Sequence, residues 1–370
     1  MAIKILFFIE TLSGGGAEKV LCNLVNEMDH SRFDITVQTL WKEDAAVLIA
    51  PDIRYRWCFS VKDRVNLFRS RVEAAMGLTY PLHIKDNYDL EVAYLEFGST
   101  KIISRSTNKK AKKIAWVHSD LVQKLNGKPE LIRKTAAQYS AFDRIVCVSQ
   151  TAKNSFDSLF GRSQDTVVLY NTNDDVAIRE KANLPPTEPF SKRHLTLAAV
   201  GRLSEEKQYD MLLHVHKRLL DEGFSHDLWI VGEGAERGKL EAYITENGLS
   251  DSVRLFGFQS NPYPYMKAAD LLVCSSSYEG LSTFVTEGLI LGKPIVTTEC
   301  SGMRELLGDS EYGLITDNSE EALLTGVRQL LSDGSRRSEY AVLSEARGHA
   351  FTARTVTENT ERFFINMLED

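Results

Sequence analysis

The sequence predicts an α/β protein made of two doubly wound, Rossmann-like domains, each a parallel sheet with helices on both faces. Three observations predict it. Short apolar runs that read as buried strands alternate with helical patterns along the chain. A Pro-rich segment, Asn183-Leu184-Pro185-Pro186-Thr187-Glu188-Pro189, separates two such series and reads as a linker. The chain has 370 residues, enough for two cores. The domains are expected over residues 1–185 and 193–351.

In the first domain, Ile3 to Ile9 is an apolar run with one Lys. It reads as a first strand rather than a signal peptide, which needs a longer apolar region and a cleavage site. Ser13-Gly14-Gly15-Gly16 follows, then a helix with Val20, Leu21, Leu24, Val25 and Met28 on one face. Three glycines let backbone amides approach a ligand. The dinucleotide fingerprint is excluded, because its third glycine would fall on Lys19. Further strands are expected at 35–40, 90–95, 114–117, 144–148 and 167–170. Ligands on parallel sheets bind beyond the carboxyl ends of the strands. The informative residues are therefore Gly14 to Gly16, Glu96 to Ser99, His118 to Asp120, Ser149 and Asn171. Glu96 either faces a ligand or caps the next helix. His118 either donates to a hydroxyl or a developing charge or is a structural histidine.

In the second domain, strands are expected at 195–200, 228–231, 253–256, 271–274, 295–298 and 313–315. Gly201-Arg202 follows the first of them, with Lys207 close behind. A planar guanidinium and a flexible ammonium side by side suit a diphosphate on which negative charge grows. Gly232-Glu233-Gly234 follows the second strand as a close-approach turn, and Gly257-Phe258 follows the third. The fourth ends in Cys274 and leads through Gly280 into a helix that Ser282 or Thr283 can cap and that Gly292 and Pro294 end. The free amides of Leu281, Ser282 and Thr283 suit a phosphate. Glu279 and Glu287 stand eight positions apart, about 12 Å along a helix. That spacing suits the two ends of one elongated ligand. It is too wide for a pair of acids sharing one bond, which needs roughly 5–9.5 Å.

Glu279-x7-Glu287 behind a buried strand resembles the signature of retaining GT-B glycosyltransferases of the family-4, or group 1, type. Gly14-Gly15-Gly16, His118, Gly201-Arg202, Lys207 and Gly232-Glu233-Gly234 fall in that family's order at similar spacings. The resemblance covers nearly the whole chain, and most strongly residues 195–317. It implies two domains facing across a cleft, with the terminal helix, residues 352–370, crossing back to the first. It implies a metal-independent enzyme with no cofactor that moves a sugar from a nucleotide-diphosphate donor, UDP-linked, to a glycan or lipid-linked acceptor with retention. Bacterial capsule, exopolysaccharide and lipid-linked oligosaccharide enzymes are of this kind.

The implied catalytic residues are His118, Arg202, Lys207 and Glu279. The implied donor contacts are Gly15, Gly16, Gly201, Gly232, Glu233, Gly257, Phe258, Leu281, Ser282, Thr283 and Glu287, with Glu287 on the ribose. Gly14 and Glu96 are expected toward the acceptor. Two departures leave the donor sugar open: Ser301-Gly302-Met303-Arg304-Glu305 replaces the common Gly-Gly-x-Pro-Glu, and Ser282 stands where many relatives have Pro. A nucleotide-sugar epimerase or hydrolase of the same fold is the alternative enzyme, and a non-catalytic sugar-nucleotide-binding regulator is the alternative from another class.

Composition narrows the setting. Residues 1–181 carry 26 Lys and Arg against 22 Asp and Glu, and residues 182–370 carry 18 against 29, for a net −7. The acidic half argues against nucleic acid as a partner. Five scattered cysteines with no C-x-x-C pair read as core residues of a cytoplasmic protein. No metal site is expected, since there is no Cys/His cluster and no spaced D-x-D. Residues 61–82 interleave Arg64, Arg69 and Arg71 with Val65, Leu67, Phe68, Val72, Met76 and Leu78. With Lys109-Lys110-Ala111-Lys112-Lys113, this stretch either meets an anionic membrane or a lipid diphosphate, as a peripheral protein at the inner face would, or packs as a core helix with a solvated basic turn.

Overall fold

The computed structural model describes residues 2–12, 16–43, 48–279 and 281–369. Gly14, Gly15 and Gly280 lie outside them. The chain divides into two compact units, Met1–Asn173 with Ala353–Asp370, and Asp174–Thr352.

The first unit runs β1 (Ile3–Ile9), α1 (Gly16–Glu27), β2 (Phe33–Trp41), β3 (Arg54–Phe59), α2 (Arg64–Met76), α3 (Thr79–His83), β4 (Leu90–Ala93), α4 (Gly98–Ile103), β5 (Lys112–Val117), α5 (Leu121–Leu125), α6 (Pro129–Tyr139), β6 (Arg144–Cys147), α7 (Gln150–Phe160) and β7 (Thr166–Val168). Its seven strands pair in the order β3-β2-β1-β4-β5-β6-β7, all parallel. Successive side chains of a strand point to opposite faces, and here both faces are buried. Ile5, Phe7 and Ile9 enter one core with Leu21, Val25 and Trp116, while Leu6 and Phe8 enter another with Val117, Tyr139 and Phe156. Continuous apolar strands are the consequence of helices on both sides.

The edge strand β3 was not among the expected strands. Its sequence, Arg54 to Phe59, exposes most of its length and buries only Phe59 fully. An edge strand needs only half of its surface in the core, so no apolar run marks it.

The second unit runs α8 (Asp175–Ala182), β8 (Leu195–Val200), α9 (Tyr209–Asp221), β9 (His226–Val231), α10 (Arg237–Glu246), β10 (Val253–Leu255), α11 (Tyr263–Ala268), β11 (Leu271–Cys274), α12 (Thr283–Ile290), β12 (Ile295–Thr298), α13 (Met303–Leu307), β13 (Leu314–Thr316), α14 (Glu320–Ser332) and α15 (Gly334–Gly348). Its six parallel strands pair in the order β10-β9-β8-β11-β12-β13. All six fall where the sequence places them, within two residues.

The terminal helix α16 (Ala353–Glu369) belongs to the first unit, as expected. Phe364 packs its ring 6.0 Å from Phe7 and 6.4 Å from Trp116, and Glu361 accepts the Asp29 amide at 2.7 Å. The other crossing lies at Asn173, ahead of the Pro-rich segment. Helix α8 packs on α11 of the second unit, where Asn261 donates to the Lys181 carbonyl at 2.9 Å and Lys267 bonds Asn183. Prolines mark where a helix ends, and that need not be where the core changes. Among the described residues, no helix is long and apolar enough to cross a membrane.

Candidate active site

In an open parallel sheet, the crevice beyond the strand ends opens where the strand order reverses. In the second unit that point lies between β8 and β11, which are neighbours with connections leaving in opposite directions. The segments after these two strands are Gly201 to Lys207 and Ser275 to Ser282.

The structure ties them together. Lys207, in a short 3-10 turn over Glu205–Lys207, reaches Glu279 Oε1 at 2.6 Å. The Ser276 hydroxyl donates to the same oxygen at 2.8 Å. Ser275 donates to the Lys207 carbonyl at 2.7 Å, and the Ser277 amide to the Glu206 carbonyl at 2.8 Å. Of the three serines that follow β11, Ser275 and Ser277 therefore fix the turn carrying Lys207, and Ser276 holds Glu279. Only 21% of the Lys207 side chain and 12% of the Glu279 side chain are exposed, so solvent screens this pair less than a surface one. Arg202 is exposed and makes no ion pair with a carboxylate among the described residues.

The β8 and β9 ends meet backbone to backbone. Gly232 has φ +153°, and a Cβ there would stand 1.8 Å from the Gly201 carbonyl oxygen. Its amide donates to the Gly257 carbonyl at 2.8 Å, which joins the three strand-end glycines. Beside them lies a pocket of about 320 Å³ lined by Val200, Gly201, Arg202, Gly232, Phe258 and Pro262, among others. That volume is in the range of small-molecule sites. Phe258 is 75% exposed at its rim. Glu233 also lines the pocket and is paired with Arg237.

Helix α12 starts as the sequence requires. Ser282 is its N-cap and accepts the Val285 amide at 3.5 Å; Thr283 is its first residue and Leu281 precedes the cap. Glu279 lies in the loop before the helix. Glu287 lies within it and accepts from the Tyr263 hydroxyl at 2.9 Å. Burial, followed by the Glu287 carboxylate, pushes the Tyr263 phenol well above its ordinary range. The two acids therefore have separate partners on separate elements. Tyr263 directly follows Pro262 of the pocket lining.

In the first unit the order reverses between β1 and β4. Glu10 follows β1, and its carboxylate takes the room beside Gly98, where an added Cβ would meet Glu10 Oε1 at 2.0 Å. Burial raises the Glu10 pKa, and a bond from the Gly98 amide only partly opposes it. Glu96 is 4% exposed and accepts the His118 amide at 3.1 Å, so it does not cap α4, whose N-cap is Phe97. His118 packs 5.0 Å from the Tyr94 ring. Burial lowers its pKa to about 4 against the pull of Glu96, so the imidazole is neutral at pH 7. Its Nε2 is buried with no hydrogen-bond partner among the described residues. Gly16 opens α1, with no atom of the described residues within 4 Å of an added Cβ.

The structure thus gathers Gly201, Arg202, Lys207, Gly232, Glu233, Gly257, Phe258 and Glu279 at one reversal point, and Glu96 and His118 at the other. Sequence reasoning passed over Glu10, Ser276 and Tyr263. Glu10 had a signal, being the first residue after a strand; Tyr263 sits inside a helix with none.

Residues 180–345 match the model of the family described as Glycosyl transferases group 1. Among relatives, an N-acetylgalactosaminyltransferase of Campylobacter jejuni, named for a diphospho-undecaprenol acceptor, is 31% identical over 54% of this chain and 53% of its own. The chain spans about half the length of the first such relatives. An amylovoran biosynthesis glycosyltransferase of Erwinia amylovora is 22% identical over 91% of this chain and 93% of its own. Among solved structures, an Anabaena protein in complex with UDP superposes with a TM-score of 0.77 at 19% identity, over 98% of this chain and 100% of that one.

Residues 180–345 are a Glycosyl transferases group 1 domain, and the chain has the GT-B fold. The group 1 domain contains the whole β8/β11 reversal point, with Arg202, Lys207, Glu279 and Glu287 inside the matched residues.

Proposed function

We propose that the protein is a retaining, metal-independent glycosyltransferase that moves a sugar from a nucleotide diphosphate, UDP-linked, to a glycan or lipid-linked acceptor in cell-surface polysaccharide or glycolipid synthesis. The observation that carries this reading is the Lys207–Glu279 pair at the reversal point of the group 1 domain, beside exposed Arg202 and the glycine-lined pocket. The nucleotide base would lie in the pocket under Phe258, and Glu287, steadied by Tyr263, would take the ribose hydroxyls. The diphosphate would meet Arg202, Lys207 and the amides that open α12. Its approach gives Lys207 a second anion and leaves Glu279 Oε2 to accept a sugar hydroxyl.

In transfer, the bond from the sugar's anomeric carbon to the diphosphate oxygen breaks and the electron pair stays on the diphosphate. The acceptor oxygen bonds to that carbon from the same face and passes its proton to the departing diphosphate oxygen. Arg202 and Lys207 stabilise the charge that grows on the leaving group, the kind of preorganised interaction that accelerates such reactions most. Glu96 belongs to the acceptor side in this reading, and His118 keeps the catalytic role that the resemblance implies. The UDP of the Anabaena structure and the diphospho-undecaprenol in the Campylobacter enzyme's name support the choice of donor and acceptor. A lipid-linked acceptor would be met from the cytoplasm by peripheral contact with an anionic membrane.

The test is UDP release from UDP-sugars, with and without extracts of lipid-linked glycans, in the presence of EDTA. Acceptor-dependent release that EDTA leaves intact supports the proposal. Equal release without acceptor indicates a hydrolase or epimerase, and no release with any UDP-sugar refutes the donor assignment.

A further inference from the structure

Residues 182–370 carry 18 Lys and Arg against 29 Asp and Glu, yet three of their lysines gather at the end of the second sheet opposite the reversal-point crevice. Lys192 precedes β8, Lys267 is next to last in α11 and Lys293 precedes β12, so the three lie toward the amino ends of the strands. The Lys293 ammonium donates to the Lys267 carbonyl at 3.0 Å. The Lys192 ammonium donates to the Ala268 carbonyl at 3.2 Å and to Asp270 at 2.7 Å. Two cations therefore sit on consecutive carbonyls at the C-terminus of α11. The Lys267 ammonium itself bonds Asn183.

One lysine at a helix C-terminus is ordinary, since it satisfies a free carbonyl and meets the negative end of the dipole. This cluster exceeds that need. Among the described residues, its three ammoniums share one ion-pair partner, Asp270, whose other oxygen accepts the Thr196 amide at 2.8 Å. Burial lowers the pKa of half-buried Lys293, and Lys192 and Lys267 add to that against the pull of Asp270. Each ammonium has three donors, so with these bonds made every one of the three keeps at least one to spare. Spare N–H donors and uncompensated positive charge are what a multiply charged oxyanion requires. The same short helix reaches the donor pocket. Pro262, just ahead of α11, lines the pocket, and Tyr263, its first residue, bonds Glu287. Lys293 also follows α12, the helix of Glu287, and its amide donates to the Gly288 carbonyl at 3.0 Å.

We infer that Lys192, Lys267 and Lys293 bind a small phosphate anion, and that an anion held there fixes the C-terminus of α11 and favours nucleotide binding at its other end. The second clause rests on the proposed function; the first is tested without it. Arg202→Ala/Lys207→Ala removes the cations of the donor side. Calorimetry of this full-chain variant with orthophosphate, diphosphate and glucose 1-phosphate then reads the cluster alone. Binding is expected; a preference for either inorganic ion assigns the site to free phosphate, and a preference for glucose 1-phosphate to a sugar phosphate. Adding Lys267→Gln should weaken binding roughly tenfold, and adding Lys192→Gln/Lys293→Gln roughly a hundredfold, one charge-assisted bond for each lysine.

Lys267 is exposed and its ammonium bonds only Asn183 among the described residues, so a matched thermal midpoint will show that Lys267→Gln folds. That variant carries the test should the loss of the two helix bonds unfold the other. The inference is overturned if none of the three anions binds, or if Lys267→Gln binds them as tightly as its parent. Lys267→Glu sets a carboxylate beside the two remaining lysines. It should raise the thermal midpoint in phosphate-free buffer, abolish phosphate binding at the cluster and, in the otherwise native chain, tighten UDP about fivefold. A lower midpoint with an unchanged Kd for UDP would reduce the lysines to helix caps and overturn the link to the donor pocket. Phosphate binding at the cluster with no UDP binding by wild type would support the site and refute the donor assignment instead.

Discussion

The two sheets each reverse their strand order once, and the two reversal points are furnished in opposite ways. Between β8 and β11 stands an ion pair, Lys207 with Glu279, fixed by three consecutive serines. Between β1 and β4, and on neighbouring β5, stand groups whose charge burial opposes: Glu10, whose pKa is raised, and His118, whose pKa falls to about 4. A paired ammonium can exchange its carboxylate for a phosphate at little cost in desolvation. A neutral imidazole offers hydrogen bonds without net charge, which suits hydroxyl groups. One topology thus carries an ion pair at one reversal point and groups whose charge is opposed by burial at the other, and the difference lies in a few strand-end residues.

The largest effect should come from breaking the ionic site. Lys207→Ala is expected to lower kcat/KM about 10²–10³-fold, the usual cost of removing one donor that stabilises a developing charge. The paired variant Lys207→Met/Glu279→Gln removes the unpaired carboxylate as well. It should recover the thermal midpoint without recovering turnover. Recovery of both would mean that the pair is structural.

Gly232→Ala and Gly98→Ala compare the two points mechanically. At Gly232 the new Cβ meets a backbone carbonyl, so the strand ends must separate; a loss of about 3 kcal/mol or more is expected in urea unfolding. At Gly98 it meets the end of the Glu10 side chain, which can swing aside for the loss of one hydrogen bond, about 1–2 kcal/mol. Equal losses would contradict this account.

These two glycines also show what the sequence made legible. A Gly after an apolar run marks a strand end, and the strand ends of a parallel sheet mark the site, so Gly201, Arg202, Lys207, Gly232 and Glu279 could all be placed by position alone. The partners could not. That Glu96 faces the His118 amide, that Glu10 occupies the space beside Gly98, and that Tyr263 reaches Glu287 are outcomes of packing between segments 22, 88 and 24 residues apart in sequence. Strand β3 escaped for a related reason: half of its surface faces water, so its arginines break the apolar run.

Acid sharpens the contrast further. His118 is protonated in the unfolded chain below its ordinary 6.5 but in the folded unit only below about 4. The unfolded state therefore binds more protons in that window, and stability falls as pH drops through it, by about 2 kcal/mol at pH ~5. Glu10 has the opposite sign. Its raised folded pKa means that the cost of burying its charge is relieved as pH falls through that value. Urea unfolding of the first unit, followed by tryptophan fluorescence in a Trp229→Phe background, should show a shallower acid limb for His118→Gln and a steeper one for Glu10→Gln. Unchanged limbs in both would show that burial shifts neither group.

The smallest effect tests the ribose end. Tyr263→Phe removes the 2.9 Å bond to Glu287 and nothing else of comparable size. If Glu287 holds the nucleoside, it does so equally before and during bond breaking, because the ribose is remote from the reacting carbon. Loss of such uniform binding raises KM and leaves kcat unchanged. About 1 kcal/mol, one hydrogen bond, corresponds to a rise of roughly fivefold in the KM for UDP-sugar. Tyr263 is itself half-buried, so a purely structural role would instead lower the thermal midpoint and leave KM where it was. A drop in kcat would place Glu287 at the sugar rather than the ribose, and would move the ribose contact to another residue beside the glycine-lined pocket.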